Sequence, residues 1–418
     1  LSQYDNAIDS FKAAIKIKPD FADVYHDLGL TYYHMGQYEK ALESYAEAIK
    51  YKPDFFMPYY NSGLVYNDLK QFEKARYFFE ETIRIKPDIV EAYYSLGLTL
   101  TLLNKNEESI EIFLKAIQLK ADYVDAYNML GLTYLDLGRN HEAIEILKQA
   151  VALTPRHDFY NEIGVAYENL NLYEKAVESY KEAIKLNPDL AEYYHNIGLA
   201  YGRLNNFQEA IKYLKKATEL NPDSSRTHLL LASTYGALGQ NENAIHSYKE
   251  VIRITPDNAR AYYGMGLTYD IQKNIKQAID AFKKAIELKH DFFEAYTALG
   301  DAYHVLKQFS KAIEIYKEAI KLKPENAETH YGFGLAYTSL KDNEKAIEAF
   351  QTSIKLKPDY AEAYYFIGLI SYDLGQYDRA IESYKEAIRI KPEYADAYEN
   401  LISAYHKLGK DDEGIKYL

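Results

Sequence analysis

Residues Ala22 to Phe55 read ADVYHDLGLTYYHMGQYEKALESYAEAIKYKPDF. The stretch is 34 residues long, and its pattern returns until the chain ends. Gly29 is followed by Gly63, Gly97 and Gly131 at intervals of 34, by Gly164 at 33 and by Gly198 at 34. Gly266, Gly300, Gly334 and Gly368 continue the period, while Ala232 and Ile402 fill the two remaining slots. A fixed period of this size marks one supersecondary unit that cannot bury its apolar face alone and does so by stacking on copies of itself.

Within one unit the pattern resolves into two helices, so the fold class is all-α. Tyr25, Leu28 and Tyr32 recur at spacings of three and four, which places them on one helical face. Ala41, Tyr45 and Ala48 do the same for a second helix, and Met35-Gly36-Gln37-Tyr38 is the turn between them. Pro53 cannot continue a helix interior and ends the second helix. Asp54 is then expected to accept hydrogen bonds from the free amides of the next helix. Glycine inside a helix costs about 1 kcal/mol against alanine. Its recurrence at the Gly29 slot therefore predicts a backbone packed against it.

These residues resemble the tetratricopeptide repeat (TPR), whose pattern runs aromatic, Leu-Gly, Tyr, then Ala, aromatic, Ala and Pro. Tyr25, Leu28-Gly29, Tyr32, Ala41, Tyr45, Ala48 and Pro53 occupy those places, and the resemblance covers essentially the whole chain. One departure is uniform: the chain has no Trp, and the first aromatic is Tyr in most copies and His at His228 and His330. The resemblance implies a right-handed α-solenoid superhelix of stacked helix-turn-helix units. Its first helices would line a concave groove that binds an extended peptide or a partner's helix.

The 418 residues are expected to form a single solenoid. Residues 1–21 are the second helix of a truncated repeat, 22–394 hold eleven complete repeats and 395–418 a truncated last one. The chain opens at Leu1 without Met, which reads as a fragment, and neither end shows a polar capping helix. Three irregularities predict slight perturbations of the stack: the short unit near Leu153-Thr154-Pro155, and Ala121 and His290 where Pro is expected. Hydrophobic residues make up 48% of the sequence, enough for a long core, yet no window approaches the 18 apolar residues of a membrane span. Cysteine is absent, which excludes disulfides, thiolate metal sites and cysteine nucleophiles. A net charge of −13 gives no general attraction for nucleic acid or anionic membranes. The expected location is cytoplasmic.

No residue constellation carries catalysis, a cofactor or a metal. Gly264-Met265-Gly266 and Gly332-Phe333-Gly334 open like a dinucleotide fingerprint, but they lie inside a helix, with no preceding strand and no third glycine. His141-Glu142 has no second His at helical spacing, and His26 and His34 have no third ligand.

What remains is a surface. The second position of the first helix is acidic in nine of the twelve units: Asp23, Glu91, Asp125, Asp158, Glu192, Glu294, Glu328, Glu362 and Asp396. Acids there suit the helix macrodipole. Arg226 and Arg260 stand there in two adjacent units, and Arg203 closes the preceding first helix. They predict a basic patch in an acidic groove, suited to a carboxylate or phosphate. Tyr60, Tyr94, Tyr263, Tyr331 and Tyr365 recur at one groove slot and either face a partner or pack sideways on the next unit. Asn61 and Asn196, with Asn400, share the neighbouring slot but are too far apart for a ladder. The expected function is a non-enzymatic protein–protein interaction scaffold or adaptor that binds a peptide or protein partner in this groove. One alternative is the targeting arm of a larger enzyme, such as a glycosyltransferase, with its catalytic domain outside this chain. The other is a scaffold that self-assembles into homo-oligomers through its uncapped ends.

Overall fold

The computed structural model describes residues 2–417; Leu1 and Leu418, the outermost residues of the two truncated repeats, lie outside the described residues. The chain divides into two compact units, Leu1–Leu220 and Asn221–Leu418. The first holds α1 (Ser2–Ile17), α2 (Ala22–His34), α3 (Tyr38–Tyr51), α4 (Phe56–Asp68), α5 (Phe72–Ile85), α6 (Val90–Leu102), α7 (Asn106–Leu119), α8 (Val124–Asp136), α9 (Asn140–Leu153), α10 (His157–Asn169), α11 (Tyr173–Leu186), α12 (Ala191–Arg203) and α13 (Phe207–Leu220). The second holds α14 (Ser225–Ala237), α15 (Asn241–Ile254), α16 (Ala259–Ile271), α17 (Ile275–Leu288), α18 (Phe293–Val305), α19 (Phe309–Leu322), α20 (Ala327–Ser339), α21 (Asn343–Leu356), α22 (Ala361–Asp373), α23 (Tyr377–Ile390), α24 (Ala395–Lys407) and the short α25 (Asp411–Gly414). First helices of 13 residues alternate with second helices of 14, and no strand occurs among the described residues.

The turn inside each pair is set by one residue in the left-handed region. Gly36 has φ +70°, its N–H reaches the Tyr33 carbonyl at 2.9 Å, and the Gln37 N–H reaches back to the Tyr32 carbonyl at 2.9 Å. This satisfies the last carbonyls of the first helix, the usual role of a glycine just past a helix end. Other repeats place Lys or Asn there at similar φ: Lys70, Asn104, Asn171, Asn205, Lys273, Lys307 and Lys341.

Two expectations about helix ends fail. Asp54 does not cap α4: the capping residue is Phe55, with no side-chain cap bond. The acid lies one residue too early to reach the free amides. Side-chain caps form where the capping residue itself is short and polar: Ser224, Asn258 and Asn326 accept from the amides of Thr227, Ala261 and Thr329. Proline is also dispensable at the second helix end. Lys120 and Lys289, followed by Ala121 and His290, both sit at φ −140°, close to the −138° of Lys86 before Pro87. Only the Pro155 junction differs, where Arg156 caps α10 at φ −120° and ψ 144°.

Packing explains the glycines, but what presses on them is chiefly a side chain of the second helix and not the expected backbone. A Cβ on Gly29 would stand 2.6 Å from the ring of Tyr45, and one on Gly164 would stand 2.4 Å from Tyr180. The same slot faces Phe79, Phe113, Phe282, Phe350 and Tyr384 in other repeats. Ala41, Tyr45 and Ala48 are fully buried around this contact. The glycine pairs that resembled a fingerprint have the same cause. Gly264 makes room for the ring of Tyr248 and Gly266 for Phe282, while Gly332 and Gly334 do so for Tyr316 and Phe350. Ala232 fills the slot opposite Tyr248, whose ring lies against Gly264 in the next repeat instead.

Within each unit, successive first helices touch one another, as α2 touches α4 and α14 touches α16. Successive second helices make no comparable approach. Each unit therefore curves toward its first helices, which line its inner face.

Candidate interaction groove

The inner face of the first unit is tied together across repeats. Asn61 donates through Nδ2 to His26 Nε2 at 2.9 Å, and His26 Nδ1 faces the Asp27 carboxylate at 3.0 Å. The hydroxyls of Tyr60 and Ser95 lie 3.3 Å apart, and Asn196 Nδ2 donates to Asn161 Oδ1 at 3.0 Å. In the second unit Asn400 donates to the Tyr365 hydroxyl at 3.2 Å. Apart from the His26–Asp27 contact, each of these bonds joins residues 35 apart, one register between adjacent first helices. Asn61 and Asn196 are thus engaged by neighbouring repeats rather than held free for a ligand.

The five tyrosines pack sideways, the second of the two orientations open from sequence. The Tyr60 ring lies 5.7 Å from Phe79. Tyr94 meets Phe113 at 6.1 Å and Tyr123 at 5.3 Å. In the second unit Tyr263 meets Phe292 at 5.0 Å, Tyr331 meets Tyr360 at 4.8 Å and Tyr365 meets Tyr394 at 4.8 Å. Such tilted and edge contacts add stability beyond burial. Burial raises the phenols of Tyr94, Tyr263, Tyr331 and Tyr365 above their ordinary value. All five are half-buried. The partner rings were missed from sequence although the signal is visible: Tyr123, Phe292, Tyr360 and Tyr394 all stand directly before a first helix.

The arginines differ from most of their peers, although the half-buried Arg379 on α23 also has no ion pair among the described residues. Arg226 and Arg260 lie in the first turns of α14 and α16, exposed and with no ion-pair partner among the described residues. Arg76, Arg84, Arg139, Arg156, Arg253 and Arg389 each sit within 3.2 Å of a carboxylate. Arg203 closes α12 in the first unit, exposed; burial raises the nearby Glu168 carboxyl, against the hydrogen bond from Tyr180 and the charge of Arg203.

Sequence reasoning also missed an apolar strip in the second unit. Leu267 and Ile271 on α16 and Val305 on α18 are exposed, Ile271 at 63% and Val305 at 59%. Their slots offered a partial signal, since the place of Ile271 and Val305 is taken by His34, Asp68 and Asp136 elsewhere, though by the exposed Leu102 on α6. Asp301, beside this strip, accepts from the Tyr316 hydroxyl at 2.5 Å. It is exposed along one edge, yet crowding by surrounding protein raises its carboxyl, against the pull of that hydrogen bond and of His304.

Among the described residues no group of three or more His, Asp or Glu is placed to hold a metal ion. No helix there is long and apolar enough to cross a membrane.

A TPR repeat signature matches residues 1–36, 29–69, 99–138, 170–205, 233–270, 300–340, 334–375 and 368–409. Tetratricopeptide repeat signatures match 58–89, 124–157 and 191–224, and a further one matches 259–292. Among solved structures, the APC/C hetero-tetramer Cut9–Hcn1 is similar at 18% identity and TM-score 0.44, over 96% of this chain and 93% of that one. The MamA protein is similar at 30% identity and TM-score 0.39, over 41% and 94%. YrrB, a TPR protein with an unusual peptide-binding site, is similar at 24% identity and TM-score 0.40, over 44% and 96%. No curated protein sequence matches the chain. The repeat signatures span most of its length, and the chain belongs to the tetratricopeptide repeat family.

Proposed function

We propose that the protein is a non-catalytic interaction scaffold, and that the inner face of its second unit holds a segment of a partner protein across α14, α16 and α18. The observation that carries this reading is the pairing of Arg226 and Arg260, exposed and unpaired, with the exposed strip of Leu267, Ile271 and Val305. Arg260 and Ile271 are eleven residues apart, so they lie on one face of α16, roughly 16 Å apart along its axis. That span accommodates a helix or an extended segment, with its apolar side chains on the strip and acidic groups toward the arginines. Free guanidinium groups favour carboxylate or phosphate, bound bidentately. Aliphatic side chains left in water favour burial by about 25 cal/mol per Å² covered.

Capture from source lysate by the wild-type chain and by an Arg226→Glu/Arg260→Glu variant of equal helicity tests the reading. Loss of a specific partner in the variant supports it. Equal capture by both proteins sinks it.

A further inference from the structure

Away from the inner face, repeat junctions leave a notch where the second helix of one repeat meets both helices of the next. One is lined by Lys148, Tyr160, Lys175, Glu178 and Glu182, with a volume of about 450 Å³. Another is lined by Tyr364, Arg379, Glu382 and Glu386, with a volume of about 310 Å³. A third, of about 410 Å³, lies between α19, α20 and α21. Corresponding repeat slots supply the walls, so their chemistry compares directly.

The third notch departs from the other two at four places, one of them Ala349 where the others carry Ser179 and Ser383. His330 replaces the tyrosine of Tyr160 and Tyr364, and its Nε2 is held by the Pro324 carbonyl at 2.9 Å. Thr352 replaces the glutamate of Glu182 and Glu386, leaving Glu348 as its one lining acid. Phe333 replaces Ile163 and Ile367, and with Ile320 and Tyr337 it makes an apolar floor. Three lysines stand around that floor. Lys321 is engaged by Glu318 at 2.6 Å and Lys345 by Asp342 at 2.7 Å, while Lys317 is exposed with no carboxylate partner among the described residues.

We propose that this notch binds a small amphipathic carboxylate, an apolar body about the size of a benzyl group bearing one carboxyl. The apolar body lies on Phe333, Tyr337 and Ile320, and the carboxylate lies beside Lys317. The volume falls within the range of small-molecule sites, which combine an apolar lining with few polar groups. Removing one rim glutamate takes away a repulsion that an anion would meet in the sister notches.

The test uses 3-phenylpropionate as the probe, titrated into the full chain while the Ile320 and Ala349 methyl resonances are followed. The expected result is a saturable shift of both. Binding should weaken at least tenfold in Thr352→Glu and in Lys317→Glu, and for the neutral 3-phenylpropionamide. Far-ultraviolet circular dichroism checks that both variants fold; either folded variant alone decides the outcome. Three results overturn the proposal: no saturable shift, equal binding of the amide, or an unchanged affinity in the folded variants.

Discussion

At the scale of single residues, glycine shows which of two opposing effects wins. In a helix interior alanine is favoured over glycine by about 1 kcal/mol. At Gly164 that gain is outweighed, because a Cβ would stand 2.4 Å from Tyr180, whose ring is fully buried and has nowhere to go. Overpacking of this kind costs about 1–3 kcal/mol. Gly164→Ala should therefore lower the urea midpoint of unfolding. Gly202→Ala, where an added Cβ meets nothing within 4 Å, should raise it. The glycine period was legible in the sequence, but the difference between Gly164 and Gly202 was not, because it depends on a ring sixteen residues downstream. Glu162 was not legible either. Burial, and then the charge of Asp158, push its carboxyl up to about 8, with Arg156 opposing. Its Oε2 and the Oδ1 of Asn128 in the preceding repeat are both buried without a partner. A carboxyl raised in the fold stabilises it fully below its unfolded value and loses that contribution as pH rises through the folded value. The wild type should therefore lose stability between about pH 4.5 and pH 8. Glu162→Gln should flatten that part of the urea midpoint profile, and an unchanged slope would refute the assignment.

At the scale of the helix, the ends were half legible. The turn glycines Gly36, Gly138, Gly239, Gly375 and Gly409 announce a left-handed residue past each first helix, and the structure extends this position to Lys70, Lys273, Lys307 and Lys341. A side chain in that region costs about 1 kcal/mol or more. Lys307→Gly should raise the stability of the second unit by about 1 kcal/mol, read as a higher denaturant midpoint at constant slope. Start signals misled because Pro-Asp precedes the helix by one residue more than a cap requires. Asn326→Ala removes a cap to the Thr329 amide at 2.8 Å and should cost about 1 kcal/mol. Asp54→Ala, which breaks no cap, should lie within about 0.5 kcal/mol of wild type.

At the scale of the whole molecule, the period alone dictated stacked helical pairs, because each pair repeats the same apolar face and the same close contact. What the period could not convey is where the face stops being structural. Tyr331 and Tyr365 recur at a groove slot, and only the positions of Tyr360 and Tyr394 show that these rings are used to join repeats. Asn61 and Asn196 are likewise committed to His26 and Asn161. The arginines were legible for the opposite reason: a residue that opposes the helix dipole twice in succession has no local reason to be there, and the structure gives it no local partner. The central claim is that partners bind the inner face of the second unit. It is tested most directly by placing a photo-crosslinking residue at Ile271 on α16 or, as a control, at exposed Lys276 on α17, irradiating in source lysate and identifying the adducts. The account predicts a specific adduct from Ile271 that disappears in the Arg226→Glu/Arg260→Glu background, and none from Lys276. Equal labelling from the two positions, or an Ile271 adduct indifferent to the charge reversal, would contradict it.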